Sequence, residues 1–538
     1  MDEKDDIQAD NAPSRDDNEL DAISNHDDPQ DTQSPQLEPS TSIAASMKTQ
    51  PKRQLAIMIF VNLAQLIQMY PYGAGISSAL SIATSFYYND PSSTQIIPPE
   101  AEKQITHDAA WIAAAYPLTQ GTFVLMGGRL GEVYGHKAIL MGACAWWLVW
   151  NLASGFAPSL IALCIFRGLS GIGGGLITPN AVALLGVTFP PGKKRNIALA
   201  CFGACAPVGA AGASLMATIL VQLTEWKWAF FFIVILGAVV FSGMALTLPW
   251  DSPVDSKGSI DWIGAYLGVG GLILFNFVWN QAPGVGWTEA YIYILLIVSV
   301  LHLAAFMLWE AKFASSPILP FSIWQAPSFK LMLLVVFFSF MSLGIFLWYF
   351  SLIGLNIRQY SIIENGANYQ PLTILGAAAA FLSAWLIPRL PAQYIIAIGN
   401  VALIVCNVLL ATTPRHQTYW VMMFPATIIA SFTVDLIFAA AQIIASGSVG
   451  KKHQGVAGSL IGTLLSYGLS TGLGFAGTVE SYTNDGGRDL LGGYQHALYL
   501  AIGMAGFGLV ASLLFLRMPK NTKEGWDEKV DGETEGVV

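Results

Sequence analysis

Two ionisable side chains stand inside long apolar runs of this 538-residue chain: Arg167, in Cys164-Ile165-Phe166-Arg167-Gly168-Leu169-Ser170-Gly171, and Asp435, in Ser431-Phe432-Thr433-Val434-Asp435-Leu436-Ile437-Phe438. In hydrocarbon a charge costs about 2.5–3.5 kcal/mol on insertion scales, so such residues are the first candidates for chemistry. A desolvated carboxylate can exchange its proton near neutral pH, whereas a guanidinium keeps its own. Asp435 is therefore expected to carry a proton, and Arg167 to polarise the pathway or hold a compensating partner. The competing reading, a structural partner within a helix bundle, weighs more for Arg167.

Asn62, Gln65 and Gln68 recur at three-residue spacing and share one broad helix face. Amides in hydrocarbon require partners, which a wet central cavity supplies and helix-to-helix hydrogen bonds supply equally well. Gln442, seven residues after Asp435, falls on the same face as that carboxylate. Trp348, Tyr349 and Tyr467, with Phe350 and Tyr369, offer rings to an apolar or cationic substrate, although packing and interface belts account for such aromatics more often. His302 is expected to be structural. The stretch Gly127-Gly128-Arg129-Leu130-Gly131-Glu132-Val133-Tyr134-Gly135-His136-Lys137 is a short, charged turn between two apolar runs. Its glycines let two helix ends approach, and Arg129, Glu132 and Lys137 are expected to pair across that contact.

These residues need long apolar helices to position them, and the composition provides them. Hydrophobic residues make up 54% of the chain and charged residues 11%, with a mean hydropathy of +0.53, whereas soluble domains are about 25% charged. A spanning helix needs about 20 apolar residues. By that length the spans fall near 55–75, 109–127, 138–156, 159–185, 197–221, 228–248, 260–280, 290–309, 331–353, 369–387, 394–412, 419–446, 455–479 and 495–517, giving an all-α polytopic membrane protein of about fourteen spans. The net charge of −9 is concentrated in residues 1–47, with 13 acidic and 2 basic side chains; this segment is too polar to bury a core and is expected to be a disordered cytosolic tail. Of the 26 lysines and arginines, only Lys103, Lys227, Arg358, Arg415 and Arg488 fall outside the spans on the face opposite Arg129 and Lys137. The positive-inside rule then places both termini in the cytosol.

Other chemistries find no support. The five cysteines all fall in spans, so a disulfide framework is not expected, and Cys201 and Cys205 read as small packing residues. No zinc, haem or phosphate-loop spacing occurs, because Gly171-Ile172-Gly173-Gly174-Gly175 follows a helix interior rather than a strand. No cofactor, no metal and no nucleic-acid partner is expected. No nucleophile–base pair is visible, so the chain is not expected to be an enzyme.

The motif Gly128-Arg129-Leu130-Gly131-Glu132-x-x-Gly135-His136-Lys137 resembles the signature loop between the second and third helices of the major facilitator superfamily. Arg167-x-x-Ser170-Gly171-x-Gly173 is similar to the family's fourth-helix arginine motif, and Gly203-x-x-Ala206-Pro207-x-Gly209-x-x-Gly212 resembles the fifth-helix glycine-proline motif of proton-coupled exporters. Glu225-Trp226-Lys227-Trp228-Ala229-Phe230-Phe231 is similar to the tryptophan-rich opening of the sixth helix in drug:proton antiporters. Asp435-Leu436-Ile437-Phe438, Gln454-Gly455-Val456-Ala457-Gly458-Ser459-Leu460 and Gly472-Leu473-Gly474 look like fungal aminotriazole-resistance-type members of the fourteen-span branch.

This resemblance implies a six-helix half over 48–250, two additional helices with linkers over 251–328, a second six-helix half over 329–518, and a cytosolic tail over 519–538. It implies alternating access with protons and a small molecule as partners in the bilayer, a single chain sufficing. Pro207 and its glycines would bend and close-pack the fifth helix, and Arg129, Glu132 and Lys137 would clamp the cytosolic helix ends. The sequence departs from the pattern at Glu132, where Asp is usual, at Val133 and His136, where basic residues are usual, and at Ala206 and Ala210-Ala211, where glycines are usual. His136 is expected to make the turn sensitive to cytosolic pH. The counterpart turn in the second half retains only Trp385-Leu386-Ile387-Pro388-Arg389.

Proton-coupled efflux of small toxic organic compounds is the leading functional expectation, in the plasma membrane, with the vacuolar membrane as the alternative. Movement of an inorganic or small polar solute such as borate or ammonium, or of a siderophore, is the alternative within the same fold. A transporter-shaped nutrient sensor, favoured only by the long acidic tail, is the alternative of another class.

Overall fold

The computed structural model describes residues 51–88, 99–189, 193–319, 324, 328–447 and 454–516. The two tails expected at 1–47 and 519–538 lie outside the described residues.

The apolar runs form helices because a bilayer leaves backbone groups no partner except within the segment itself. In chain order these are α1 (Pro51–Ser77), α2 (Ala79–Tyr87), α3 (Pro99–Tyr134), α4 (His136–Gly155), α5 (Leu160–Thr188), α6 (Lys193–Leu223), α7 (Lys227–Thr247), α8 (Trp262–Val285) and α9 (Ala290–Lys312). There follow α10 (Phe329–Leu352) with a π-helical turn at Ile353–Ile357, α11 (Ile362–Ala367), α12 (Gln370–Leu386), α13 (Ala392–Ala411), α14 (Met423–Gly447), α15 (Gln454–Thr483) and α16 (Leu490–Leu514). Among the described residues there is no strand.

Among the described residues, thirteen helices are long and apolar enough to cross a membrane, α11 and α12 counting together. The fourteenth span is α3, 36 residues long, whose middle carries Thr119, Gln120 and Thr122. Each expected span thus falls on one long helix. The short α2 was not expected. The chain turns at Ser78 (φ −114°, ψ 0°), where the Ser77 and Ser78 hydroxyls donate to the carbonyls of Gly73 and Ala74 at 2.8 and 2.5 Å, a back-bonding pattern that bends helices.

Helix α1 lies on α6 through small residues: a Cβ on Gly73 would overlap the Ala210 carbonyl, and one on Gly209 would overlap the Leu66 carbonyl, so only glycine allows this approach. Helix α3 packs against α5 and α4 against α5, while α13 packs against α14 and α16. The first seven helices meet α10–α16 along two seams, α3 with α15 and α6 with α12. Tyr72 donates to Ser466 Oγ at 2.7 Å, Asn365 Nδ2 to the Ser77 carbonyl at 3.1 Å and Gln370 Nε2 to the Ala211 carbonyl at 3.2 Å, all between these two groups of helices.

The pair α8 and α9 divides its labour. Helix α8 reaches both sides of the α3–α15 seam: Trp111 Nε1 donates to Gln281 Oε1 at 2.9 Å, Asn276 Nδ2 to Thr471 Oγ1 at 2.8 Å and Tyr467 to the Leu272 carbonyl at 2.7 Å, while Trp279 stacks on Phe475 with centroids 3.7 Å apart. Helix α9 instead exposes Ile294, Ile297, Val300, Leu301 and Leu308, an apolar outer face suited to lipid.

Candidate functional site

The turn between α3 and α4 is held from outside itself. Gly135 adopts φ +94°, a conformation that favours glycine, and this reverses the chain so that α4 starts at His136. The first amides of α4 lack helical partners. Asp251 supplies them from the segment after α7, accepting from His136 N at 2.7 Å and Lys137 N at 3.0 Å. A carboxylate at a helix N-terminus also meets the positive end of the helix dipole.

Arg129 donates to Glu132 Oε2 at 2.9 Å and to Asp255 Oδ2 at 2.9 Å. Burial disfavours its charge, but Glu132 and Asp255 outweigh that and hold the guanidinium above its ordinary pKa. Lys137 is buried and donates to the carbonyls of Leu248 at 2.5 Å and Ala245 at 3.2 Å, with Trp250 beneath it at 4.5 Å. The expectation that these charges pair across the two helix ends is corrected in this respect: Arg129 and Glu132 pair within α3, and the longer reach goes to the 251–259 linker, whose Asp255 N also donates to the Glu132 carbonyl at 3.0 Å. A three-residue spacing on one helix favours the internal pair.

His136 is buried, with Nδ1 2.9 Å from Asn180 Oδ1. Asn180 Nδ2 donates to the Gly127 and Leu176 carbonyls at 2.9 and 2.8 Å, which turns its oxygen toward the imidazole, so His136 Nδ1 carries the proton of that bond. A Cβ on Gly131 would overlap both Asn180 Oδ1 and His136 Nδ1, and one on Gly128 would sit 3.4 Å from Ser459 Oγ across the seam to α15.

Arg167 is buried in α5. Its Nε donates to the Ile112 carbonyl and its Nη2 to the Pro71 carbonyl, both at 2.7 Å, and Phe230 lies 5.9 Å from the guanidinium carbon. Among the described residues it has no carboxylate within ion-pair distance, and its hydrogen bonds to the Ile112 and Pro71 carbonyls tie α1, α3 and α5 together. Asp435 stands differently. One oxygen, Oδ2, is sealed and has no hydrogen-bond partner among the described residues, an arrangement costly for any carboxylate.

The amides expected to line a cavity form a ladder. Gln68 Nε2 donates to Gln65 Oε1 at 2.9 Å and lies 3.2 Å from Thr178 Oγ1, Gln120 Nε2 donates to Gln68 Oε1 at 3.1 Å, and Tyr116 donates to the Gln68 carbonyl at 2.6 Å. Asn62 Oδ1, Gln120 Oε1 and Thr463 Oγ1 are buried without partners among the described residues. The other expected cavity residues are dispersed. Gln442 Nε2 donates to the Gly458 carbonyl at 3.0 Å, Tyr467 is engaged with α8, Tyr349 donates to Glu480 Oε2 at 2.6 Å, and Trp348 lines a cleft beside Glu480.

The fifth-helix motif is only partly close-packed. Gly209 meets the α1 backbone, Pro207 faces Gly376 and Gly212 faces Thr373, but Gly203 is exposed and a Cβ there would meet no neighbouring element within 4 Å, which corrects the expectation for that residue. Helix α6 continues through Pro207. His302 Nδ1 donates to the Val298 carbonyl at 2.9 Å, a local structural bond. Sequence reasoning missed Asp251, Asp255, Tyr116, Gln120 and Asn180. Gln120, Tyr116 and Asn180, polar groups inside spans, carried a signal that could have found them, whereas Asp251 and Asp255 did not.

Residues 75–474 match the family model described as Major Facilitator Superfamily. The chain is 36% identical to two proteins of Saccharomyces cerevisiae, the low affinity ammonium transporter and the aminotriazole resistance protein, over 76% of this chain and 80% and 76% of theirs. It is 32% identical to the efflux pump terJ of Aspergillus terreus over 86% of this chain and 88% of that protein. Among solved structures, a POT family transporter in complex with a thioalcohol-conjugated peptide superposes with a TM-score of 0.62 at 13% identity, covering 86% of this chain and 96% of that one. A family match over most of the fourteen-helix body, the glycine turn in place between α3 and α4, and relatives above 30% identity agree: the chain is an integral membrane transporter and belongs to the major facilitator superfamily.

Proposed function

We propose that this transporter exports small organic compounds in exchange for protons by alternating access, two six-helix halves rocking about a central site. Asp435 carries the reading: a membrane-embedded carboxylate with a sealed, unpartnered oxygen gains most by taking and giving up a proton as its surroundings change. Proton binding then shifts which orientation of the cavity is stable, and differential affinity for the two orientations drives uphill movement. Arg167, tied to backbone carbonyls, keeps α1, α3 and α5 in register while the halves move.

The names of the aminotriazole resistance protein and the efflux pump terJ support efflux. The single chain acts as the functional unit, in the plasma membrane, with both termini in the cytosol. A second reading, movement of a small polar nitrogen solute, draws on the relative named as a low affinity ammonium transporter and on the uncharged amide ladder of Gln65, Gln68 and Gln120.

The test is a toxicity and efflux panel in cells lacking or overproducing the protein, with ammonium included, a proton-dissipating agent, and Asp435→Asn beside the wild type. Export that raises resistance, collapses with the proton gradient and is lost in Asp435→Asn is the expected result. Flux indifferent to the gradient rejects proton exchange, and saturable ammonium flux without organic export selects the second reading.

A further inference from the structure

The end of α3 opposite the Arg129 turn borders a second membrane-embedded carboxylate. Lys103 and Arg129 are 26 residues apart on this helix, about 39 Å at 1.5 Å per residue, so they lie toward opposite faces of the bilayer. At the Lys103 end a narrow cleft of about 60 Å³ opens between α3, α8, α10 and α15, with Lys103, His107, Asn280, Trp348, Glu480 and Asn484 among its walls. Glu480 Oε2 accepts the Tyr349 hydroxyl at 2.6 Å, while Oε1 has no hydrogen-bond partner among the described residues.

Around Glu480, Lys103 is the cation whose charge acts on the carboxylate, from beyond ion-pair distance. From α3 the cleft receives Glu102, Lys103 and His107, but His107 is engaged by Asp108 at 3.2 Å and by the Asn280 carbonyl at 3.2 Å. From α10 comes Tyr349, whose ring lies 5.4 Å from Tyr494 of α16. Beyond α15 the charges pair with one another, Arg488 with Asp485 at 3.7 Å and Arg415 with Asp489 at 3.9 Å. No cation among the described residues lies within ion-pair distance of Glu480. The carboxylate also sits on the α3–α15 seam, one of the two places where the first and last groups of helices meet.

We propose that Glu480 is a second proton-binding residue of the transport cycle, loaded from the face opposite the Arg129 turn. The inference rests on the proton-exchange reading and adds a site distinct from Asp435. A proton from water in the cleft bonds to Oε1, leaving Oε2 to keep the Tyr349 hydroxyl as its donor. The neutral acid allows α3 and α15 to close over it, and return of the proton to water restores the charge and the wet cleft. Tyr349 acts as a positioning residue, fixing which oxygen is free.

The experiment uses the full chain in cells, with efflux of a substrate from the toxicity panel followed while external pH is varied from about 5 to 8. Glu480→Gln is expected to flatten the profile to less than about a twofold change where the wild type changes about fivefold or more, and Glu480→Asp to restore a pH-dependent profile. Tyr349→Phe is expected to keep pH dependence but move its midpoint by about half a unit or more, because it removes a donor to the carboxylate. A Glu480→Gln chain present at the surface in wild-type amounts, yet keeping the wild-type profile, overturns the proposal and leaves Asp435 its role. Wild-type flux indifferent to the proton gradient overturns both.

Discussion

The turn between α3 and α4 and its counterpart between α12 and α13 are secured in different ways. In the first, Asp251 caps the start of α4 from 114 residues away, and Asp255 reaches Arg129 from 126 residues away. In the second, Arg389 hydrogen-bonds to the Trp385 carbonyl one turn back and lies 4.1 Å over the Trp385 ring, so among the described residues the ties of this arginine are local to its own turn. A local contact survives any rigid rotation of its own half. A contact to the linker ties the turn to whatever the linker leads into, here α8, which touches both α3 and α15. The two halves therefore differ in how their turns are coupled to the rest of the molecule.

The strongest way to break this contrast is to fill the space under the first turn. Gly131→Ala puts a Cβ against Asn180 and His136, and overpacking of this kind costs about 1–3 kcal/mol. We expect a loss of about tenfold or more in transport and a lower thermal transition in detergent, while Leu390→Ala leaves both near wild type.

Asp251→Asn comes next. It keeps the shape but removes the charge from two amide bonds, with an expected cost of about 1 kcal/mol and a several-fold fall in transport at unchanged surface expression. An Asp251→Asn chain of unaltered thermal stability would place the cap's strength elsewhere.

A smaller effect is expected for the ion pair, because Asp255 is 45% exposed. A double-mutant cycle of Arg129→Gln and Asp255→Asn should give a coupling energy of about 0.5–1 kcal/mol, falling with added salt. Arg389→Ala should be the mildest, within about twofold of wild-type transport, since an exposed cation over a ring contributes about 0.5–1 kcal/mol. Equal sensitivity of Arg129 and Arg389 would erase the contrast.

The helices were legible because hydrocarbon imposes a length and an apolar composition on every span, and α9 or α7 satisfies both without ambiguity. The glycine turn was legible from its spacing. Its partners were not, because Asp251-Ser252-Pro253-Val254-Asp255 reads as an ordinary polar connection and nothing local reports a pairing over more than 100 residues. Arg167 shows the same limit. Its burial followed from its place in a span, but backbone carbonyls on α1 and α3 as partners carry no side-chain signature. Glu480 escaped notice because α15 runs to Thr483, four residues past the expected end of that span at 479, which moved this carboxylate from a loop into the helix.

The central claim is that a proton gradient drives this transporter through Asp435. The direct measurement is uptake of a labelled panel substrate into proteoliposomes holding the full chain, with an imposed gradient, acidic inside for inside-out molecules, in wild type and Asp435→Asn. Accumulation above equilibrium in the wild type, abolished by a protonophore and absent in Asp435→Asn while downhill exchange continues, is the predicted result. Accumulation that persists in Asp435→Asn, or that ignores the gradient, would contradict the account.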